Sequence, residues 1–318
     1  MLLYVVQRVA IALLMVWLVA TLVFLLLHIV PGDPAELLLS SGSTAPDPAA
    51  VASLREKLGL NEPILVQYGQ YLSGLVQGDL GASMQDGTPV GEQVALRLPR
   101  TLELIAAAAI VALGIGIPVG VRAATHVGGL GDRISSGVAA IALSTPVFVI
   151  GTLAILLFAQ TLRIAPAGGY VAFADNPLRH LGLLILPALT VAAPLCAVVI
   201  RMTRSAVLEV LERDFVRAVR ARGVAPRRIL TRHVLRCALV PVVTVTGLEL
   251  GTLLGGTVLV EYVYNWPGLS GFLVKAVEAR DYPEVVGIVL TISTLFVLLN
   301  LVVDLLNAVL DPKVRLST

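Results

Sequence analysis

Residues 201–238 read RMTRSAVLEVLERDFVRAVRARGVAPRRILTRHVLRCA, and this stretch holds ten arginines. The segments on either side of it, 181–201 and 239–260, are almost entirely apolar. A basic loop between two apolar segments is typical of the cytoplasmic side of a membrane protein, where lysine and arginine accumulate. The stretch therefore predicts an integral membrane protein and indicates the side of the membrane on which this loop lies.

The composition extends this prediction to the whole chain. Of its 318 residues, 57% are hydrophobic and 14% are charged, whereas about a quarter of a soluble domain is charged. A spanning helix needs about 20 apolar residues. Six segments qualify, so the predicted fold class is an all-α membrane protein with six transmembrane helices at 9–30, 101–122, 137–160, 181–201, 239–260 and 285–309. The first segment is too long for the apolar core of a cleaved signal peptide.

The placement of basic residues predicts the orientation. With the N-terminus inside, the inner segments 1–8, 122–136, 201–238 and 310–318 hold 15 lysines and arginines. The outer segments 31–100, 161–180 and 261–284 are longer in total and hold 8. This bias predicts that both termini lie in the cytoplasm. The chain then divides into 1–30 with the first span, an extracytoplasmic loop 31–100, a transmembrane core 101–310 and a cytoplasmic tail 311–318.

The loop 202–238 has a regular pattern of its own. Val207, Leu211, Phe215 and Ala218 fall on one face if Ser205–Arg222 forms a single amphipathic helix. Gly223 is suited to end that helix, and Pro226 can begin the next one. Periodicity alone leaves three interpretations: a rigid knob that docks into a soluble partner, an interfacial helix on anionic lipid, or a solvated basic loop.

Two outer regions show shorter periodic segments. Within 31–100, the apolar spacing predicts helices at about 47–59 and 63–76. Leu269–Val277, between Pro267-Gly268 and Asp281-Tyr282-Pro283, is apolar but too short to span. These segments are expected near the outer mouth of the bundle, where gating, docking of a partner and a purely structural cover all remain open.

Polar residues inside the apolar segments need an explanation, because ionised groups are costly there and usually face a cavity or a partner. Glu249 is a candidate for a translocation path, while Asp304 is expected to pair with a cytoplasmic arginine. Gly251, Gly255 and Gly256 form a small-residue pattern that predicts close helix packing. No cluster of cysteine and histidine indicates a metal site, and no catalytic or cofactor-binding motif is present.

Several motifs together resemble a known family. The stretch Asp214 to Gly223 with Arg227-Arg228-Ile229-Leu230 resembles the coupling loop of binding-protein-dependent ABC importer permeases, in the dipeptide/oligopeptide or peptide/nickel branch. Further matches are short, but their order covers essentially the whole chain. They are Pro31-Gly32-Asp33-Pro34, Gly59-Leu60-Asn61-Glu62-Pro63, Gly78-Asp79-Leu80-Gly81, Trp266-Pro267-Gly268-Leu269, Arg280-Asp281-Tyr282-Pro283 and Asp311-Pro312-Lys313-Val314-Arg315.

The resemblance implies a type I permease fold and the first of two permease subunits. It implies that the coupling loop docks an ATPase through Asp214, Phe215, Arg217, Ala218, Arg220, Arg222 and Gly223. The general family pattern Glu-Ala-Ala-x-x-x-Gly is matched here only at Ala218 and Gly223, so no role is carried over for a glutamate. Trp266, Pro267, Asp281 and Tyr282 are candidates for an outer gate.

The function implied is that of a non-catalytic subunit. Since the sequence contains no phosphate-binding loop, ATP and magnesium would be bound by two partner ATPases, with no cofactor in this chain. The other expected partners are a second homologous permease, an extracytoplasmic substrate-binding protein and the inner-membrane bilayer, with no nucleic acid. Di- or oligopeptides are the expected substrates. Nickel chelates, glutathione-like peptides, an ion-coupled carrier using Glu249 or Asp304, and a membrane scaffold are the alternatives.

Overall fold

The computed structural model describes residues 2–29, 36, 47–57 and 60–310, and the described part is helical apart from turns and one isolated bridge between Ala82 and Pro89. The helices are α1 (Leu2–Ile29), α2 (Pro48–Lys57), α3 (Ile64–Val76), α4 (Val90–Thr125), α5 (Leu130–Ser144), α6 (Val147–Ala154), α7 (Pro177–Leu211), α8 (Asp214–Ala221), α9 (Pro226–Ile229), α10 (Leu235–Gly256), α11 (Val258–Val263), α12 (Leu269–Glu278) and α13 (Tyr282–Leu310). A π-helical segment, Ile155–Thr161, extends α6, and another, Leu230–Val234, joins α9 to α10. The motifs at 31–34 and 311–315, and the helix end expected at Gly59, lie outside the described residues.

Five continuous segments are long and apolar enough to cross a membrane: Tyr4–Leu25, Val90–Thr125, Pro177–Leu211, Pro226–Gly256 and Tyr282–Leu305. The predicted span 137–160 is not one continuous helix. Instead, α5 and α6 with its extension are bent by 107° at Thr145 and Pro146. Proline lacks the amide hydrogen that would continue the ladder and clashes with the preceding turn, so the helix breaks there.

The predicted span 101–122 also begins too late, because α4 starts at Val90 and the loop before it ends at Pro89. Val90 and Val94 are buried against Leu269, Ala276 and Ile288, while polar neighbours such as Glu92 are exposed. Because buried apolar residues alternate with exposed polar ones here, the first part of α4 has a lower mean hydropathy and does not form a continuous apolar run. The short helices expected near 47–59, 63–76 and 269–277 are present as α2, α3 and α12.

Helix α7 is central to the bundle and packs most closely against α4. A Cβ atom added at Gly116 would lie 2.7 Å from Val199 Cγ1, and one at Gly120 would lie 2.7 Å from Thr203 Cβ. Only glycine permits this approach, and the contact continues into a core that includes Leu104, Ala108, Leu195 and Val199. The span of α7 is 67% buried, a larger share than in the other continuous spans.

Helices α10 and α13 run antiparallel, with Gly247 against Val303 and Gly251 against Phe296. Of the predicted packing face at Gly251, Gly255 and Gly256, only Gly251 makes a close contact within the described part of this chain. A Cβ atom added at Gly255 or Gly256 would meet nothing within 4 Å, and Gly247 makes the second close contact instead.

At the same end of α13, Asp304 pairs with Arg8 of α1 at 2.8 Å, which confirms the expected arginine partner. These contacts place the start of α1 and the end of α13 beside the start of α10.

Candidate functional site

We call the end of the bundle that carries residues 205–238 the basic end, and the opposite one the far end. The predicted single helix Ser205–Arg222 is wrong. Helix α7 continues to Leu211, the chain turns at Glu212 and Arg213, and α8 begins at Asp214. An ion pair of 2.7 Å between Arg213 and Glu209 spans the turn. The acidic Asp214 then lies in the first turn of α8, where a negative charge suits the helix dipole.

The turn decides which face of α8 meets the bundle. Val216 is 1% exposed and packs with Val207, Val210, Ile229 and Ala238 from α7, α9 and α10. Val219 is partly buried against the same cluster. Phe215 and Ala218, which the continuous-helix pattern placed on the inner face, are exposed. The break shifts the inward face by one residue, from 215 and 218 to 216 and 219.

The outward face of α8 is therefore a small, strongly basic surface with an aromatic residue in it. The Phe215 side chain is 40% exposed. The other residues predicted to dock an ATPase are exposed as well: Asp214, Arg217, Ala218, Arg220, Arg222 and Gly223. We call these seven residues the α8 surface. Exposed aromatic and arginine side chains on a rigid support are typical of protein interfaces.

The turn after α8 forms as its sequence predicts. Gly223 has φ +76°, a left-handed conformation that costs other residues energy, and Pro226 is at the start of α9. From Pro226 the chain is helical without interruption through the π segment to Gly256. The loop is thus joined directly to α7 on one side and to α10 on the other, so a displacement of α8 would be transmitted to both helices.

Glu249 lies in the middle of α10, half-buried. Among the described residues its carboxylate has no hydrogen-bond or ion-pair partner. No other predicted site residue is near it in the described contacts, so Glu249 forms no shared site with the α8 surface. Within the described part of the chain, no group of three or more histidine, cysteine or acidic residues is placed to hold a metal.

The predicted outer-gate residues lie at the far end, and two of them are buried. Trp266 is 2% exposed, and its indole nitrogen donates a hydrogen bond of 3.0 Å to the carbonyl of Arg100. The Arg100 guanidinium lies 4.7 Å from the Tyr170 ring centre and donates to the carbonyl of Pro267. Pro267 and Tyr282 are partly buried. These contacts attach the loop after α11 to the side of α4.

Asp281 is fully buried, and its carboxylate organises a turn that is distant in sequence. Oδ2 accepts hydrogen bonds from the Ser83 hydroxyl at 2.5 Å and from the backbone amide of Met84 at 3.0 Å. Oδ1 accepts from the amide of Glu284 at the start of α13. Asp281 therefore joins the loop before α4 to the start of α13.

Glu261 is a buried carboxylate that the sequence did not single out as a site residue. Oε1 accepts from Thr101 Oγ1 at 2.7 Å, and Oε2 accepts from the Gly271 amide at 2.7 Å. Thr101 Oγ1 in turn accepts from the Leu269 amide at 2.8 Å. Burial raises the pKa of the Glu261 carboxyl, while these hydrogen bonds act in the opposite direction. We call the contacts of Glu261, Trp266 and Asp281 the far-end network.

A second pair missed by sequence reasoning joins α4 to α7. His180 is fully buried, with Nε2 2.6 Å from Glu103 Oε1 and Nδ1 2.7 Å from the carbonyl of Val171. Since a carbonyl oxygen only accepts, Nδ1 donates the hydrogen bond to Val171. The spacing of 77 residues between the partners left no local signal for this pair.

Comparison with known proteins identifies a family over nearly the whole chain. The family model described as "Binding-protein-dependent transport system inner membrane component" matches residues 116–316, and a model for the N-terminal part of such components matches residues 1–105. The dipeptide transport system permease protein DppB of Escherichia coli K12 is 40% identical over 320 residues, covering 93% of this chain and 94% of that protein.

Two further relatives are similar over their lengths. The glutathione transport system permease protein GsiC of Salmonella typhi is 41% identical over 297 residues, which covers 93% of this chain and 94% of that protein. The probable peptide ABC transporter permease y4tP of Sinorhizobium fredii is 39% identical and covers 98% and 99% of the two chains. An inward-facing crystal structure of the MetNI methionine ABC transporter has the same fold, with a TM-score of 0.52, 21% identity and coverage of 71% of this chain and 96% of that one.

The matched family models and the identity over nearly the full length decide the class of protein. The chain belongs to the family of binding-protein-dependent transport system inner membrane components. It is a multi-pass inner-membrane protein and the permease component of an ABC importer.

Proposed function

We propose that this permease forms half of the translocation pore of an ATP-driven peptide importer, as the first of two related permease subunits. Its relatives are named for dipeptide, glutathione and peptide transport, and all of these substrates are short peptides. An extracytoplasmic binding protein would deliver the peptide to the far end. The orientation with both termini in the cytoplasm follows from the basic residues of the loop 201–238.

The α8 surface is the proposed docking site for an ATPase subunit, which would bind and hydrolyse ATP. The observation that carries this proposal is the two-sided character of α8: Val216 is anchored in the bundle while Phe215 and the arginines face outward. An exposed aromatic residue on a rigid support can enter a pocket of a partner at little entropic cost, and such residues often dominate binding energy. The permease itself would carry no catalytic residue.

The proposed mechanism is alternating access. When the ATPases close, α8 moves with them, and the short turns that join it to α7 and to the helix from Pro226 to Gly256 carry the motion into the spanning helices. The broken span α5–α6 and the prolines within α4, α7 and α10 are places where helices can bend relative to each other. Glu249 of α10 is proposed to line the path, where its carboxylate would meet the ammonium group of a peptide.

Co-purification from detergent tests the docking proposal. The double variant Phe215→Asp/Ala218→Asp places two negative charges on the α8 surface without touching the buried Val216. We expect the ATPase to accompany the wild-type permease and to be lost from the variant, while the second permease subunit is retained. ATP-driven peptide uptake in proteoliposomes should fall to background in the same variant.

Phe173→Asp is the matched control, because Phe173 is also exposed, at 55%, but lies in the far-end loop before α7. This control should retain the ATPase. Retention of the ATPase by the double variant would reject α8 as the docking site.

The ion-coupled carrier with Asp304 as its coupling group has little support, since the Asp304 carboxylate is paired with Arg8. Peptide uptake that continues without ATPase subunits and stops when a proton uncoupler is added would support the ion-coupled carrier.

A further inference from the structure

A groove between α5 and α7 opens near the basic end and encloses a volume of about 570 Å³. Its lining combines apolar side chains with two hydroxyl groups and two guanidinium groups, and includes Leu143, Val198, Met202, Ser136, Ser205, Arg201 and Arg204. Arg201 lies ten residues before the end of α7, which at 1.5 Å per residue is about 15 Å along the helix. The groove therefore reaches from the basic end into the spanning part of the bundle.

The guanidinium of Arg201 is the unpaired charge of this groove. Its neighbour Arg204 is held by Asp132, with Nε–Oδ1 at 2.6 Å and Nη2–Oδ2 at 3.0 Å. Asp132 also accepts from the amide of Gly128 at 2.9 Å, so this carboxylate is fully used. Within the described residues Arg201 has no hydrogen bond or ion pair and is exposed. Arg201 lies where the spanning part of α7 meets the basic loop, and an unpaired guanidinium there can pair with a carboxylate from outside the chain.

The helix break beside the groove indicates that this side does not face lipid. Leu143 lines the groove, and the chain breaks immediately after it at Thr145 and Pro146, where Ser144 and Pro146 are exposed. Non-helical backbone at membrane depth is tolerated where it is buried in protein or lines a water-filled cavity, and not against hydrocarbon. In addition, α7 has the most buried of the continuous spans. Its open side therefore faces either a water-filled path or another subunit.

We propose that Arg201 binds the carboxylate of the transported peptide in this groove, on its way to the basic end. The inference rests on the proposed peptide import and adds a substrate contact within the permease. The guanidinium pairs with the carboxylate that every free peptide has, and the side chains of Ser136 and Ser205 make the groove polar beside it. The apolar wall accepts different side chains, so the site selects a peptide terminus and not a sequence.

Protection of a cysteine in the groove tests this site directly. Ser136→Cys is introduced together with Cys196→Ala and Cys237→Ser, which remove the two natural cysteines. The assembled complex is treated with the neutral reagent methyl methanethiosulfonate in phosphatidylcholine nanodiscs, and modification of this chain is followed by mass spectrometry. The probes are dialanine and dialanine amide, which differ in the carboxylate.

We expect dialanine to slow the modification in a saturable manner. About tenfold more dialanine amide than dialanine should be needed for the same protection, which is the effect of losing one charge-assisted hydrogen bond. When Arg201→Gln is added to the cysteine variant, about tenfold more dialanine should be needed for the same reason. Arg201→Lys should retain part of the protection because it keeps the charge. Arg179→Gln, on the same helix but at the far end, should behave like the parent protein.

Equal protection by the acid and the amide, or unchanged protection in Arg201→Gln, would overturn the inference. Protection by phosphatidylglycerol but not by dialanine would also overturn it and would identify a lipid site. A cysteine at position 136 that never reacts in the complex would overturn it as well and would indicate a subunit interface. Uptake of dialanine by the same complex in proteoliposomes separates the two proposals. Uptake without carboxylate-dependent protection rejects only the Arg201 site, whereas ATP hydrolysis with no peptide uptake rejects peptide import and the site with it.

Discussion

The α8 surface at the basic end and the far-end network differ in what their charged and aromatic residues contact. On α8, Phe215 and the arginines point away from the bundle, and one exposed ion pair, Arg217–Asp214 at 3.5 Å, joins two members of the surface. In the far-end network, Trp266, Glu261 and Asp281 are at most 2% exposed and each has hydrogen-bond partners within the chain. Side chains of the same chemical types are therefore exposed in one region and stabilise the chain's own tertiary structure in the other.

This difference changes the interpretation of the outer-gate motif. A buried carboxylate that accepts several hydrogen bonds stabilises one arrangement of the segments that donate them, because breaking the set leaves polar groups unpaired. Asp281 and Glu261 therefore hold together the loops at the far end as a unit. Motion of a gate there would have to carry this unit as a whole.

The largest effect on stability is expected for Asp281→Asn. The amide replaces one acceptor oxygen by a donor opposite groups that already donate, namely Ser83 and the amides of Met84 and Glu284. We expect a loss of about 3 kcal/mol in the free energy of unfolding, seen as a lower melting temperature of the purified complex. Asp175→Asn, at an exposed loop position, is the control, and an equal change in both variants would contradict a structural role for Asp281.

Gly268→Ala tests the same network by steric means. A Cβ atom at this position would lie 2.3 Å from Glu261 Oε1, so the carboxylate would have to leave its hydrogen bonds to Thr101 and Gly271. The expected loss is about 2 kcal/mol, measured by thermal unfolding. Gly69→Ala in α3, where a Cβ meets nothing within 4 Å, should not destabilise. If Gly268→Ala left thermal unfolding unchanged, the far-end network would be able to rearrange around the added methyl group at little cost in free energy.

Gly223→Ala should have a smaller effect, because a Cβ there meets nothing within 4 Å and the cost comes from φ +76° alone. We expect a loss of about 1 kcal/mol in stability together with weaker ATPase retention, since the turn sets the direction of α8. Gly223→Asn should lose less, as asparagine tolerates this conformation better. Equal behaviour of the alanine and asparagine variants would indicate that the backbone conformation of the turn is unimportant.

The smallest effect on stability is expected for Arg217→Gln. Its ion pair with Asp214 is exposed on both sides, and such pairs contribute roughly 0–1 kcal/mol. Unfolding should therefore be nearly unchanged, while the ATPase should dissociate several times faster from the complex in a binding assay. If Arg217→Gln unfolded at a lower temperature but bound the ATPase normally, Arg217 would have a structural role like that of the far-end network and no docking role. Asp214→Asn removes the same pair and serves as the comparison.

Much of the fold was predictable because its signals are local. Apolar length indicated the spanning segments, Pro and Gly indicated the turn at 223–226, and apolar spacing indicated α2, α3 and α12. The pairing of Asp304 with an arginine also followed from its position near a helix end. Two features escaped: the early start of α4 and the break at Glu212–Arg213. Both depend on burial by distant residues, since Val90 packs against Leu269 and Ile288 and Val216 packs against Ile229 and Ala238.

By itself, the sequence determined that this protein spans the membrane many times, which family it resembles, and which loop is the candidate docking site. These properties depend on hydrophobicity, on charge placement and on motifs read along the chain. Only the tertiary structure decided that Phe215 faces outward while Trp266 and Asp281 are buried, and that Asp132 neutralises Arg204 and leaves Arg201 free. The physical reason is that burial and pairing depend on residues far apart in the chain, as for Asp132 with Arg204 and Ser83 with Asp281, and no local pattern encodes such contacts.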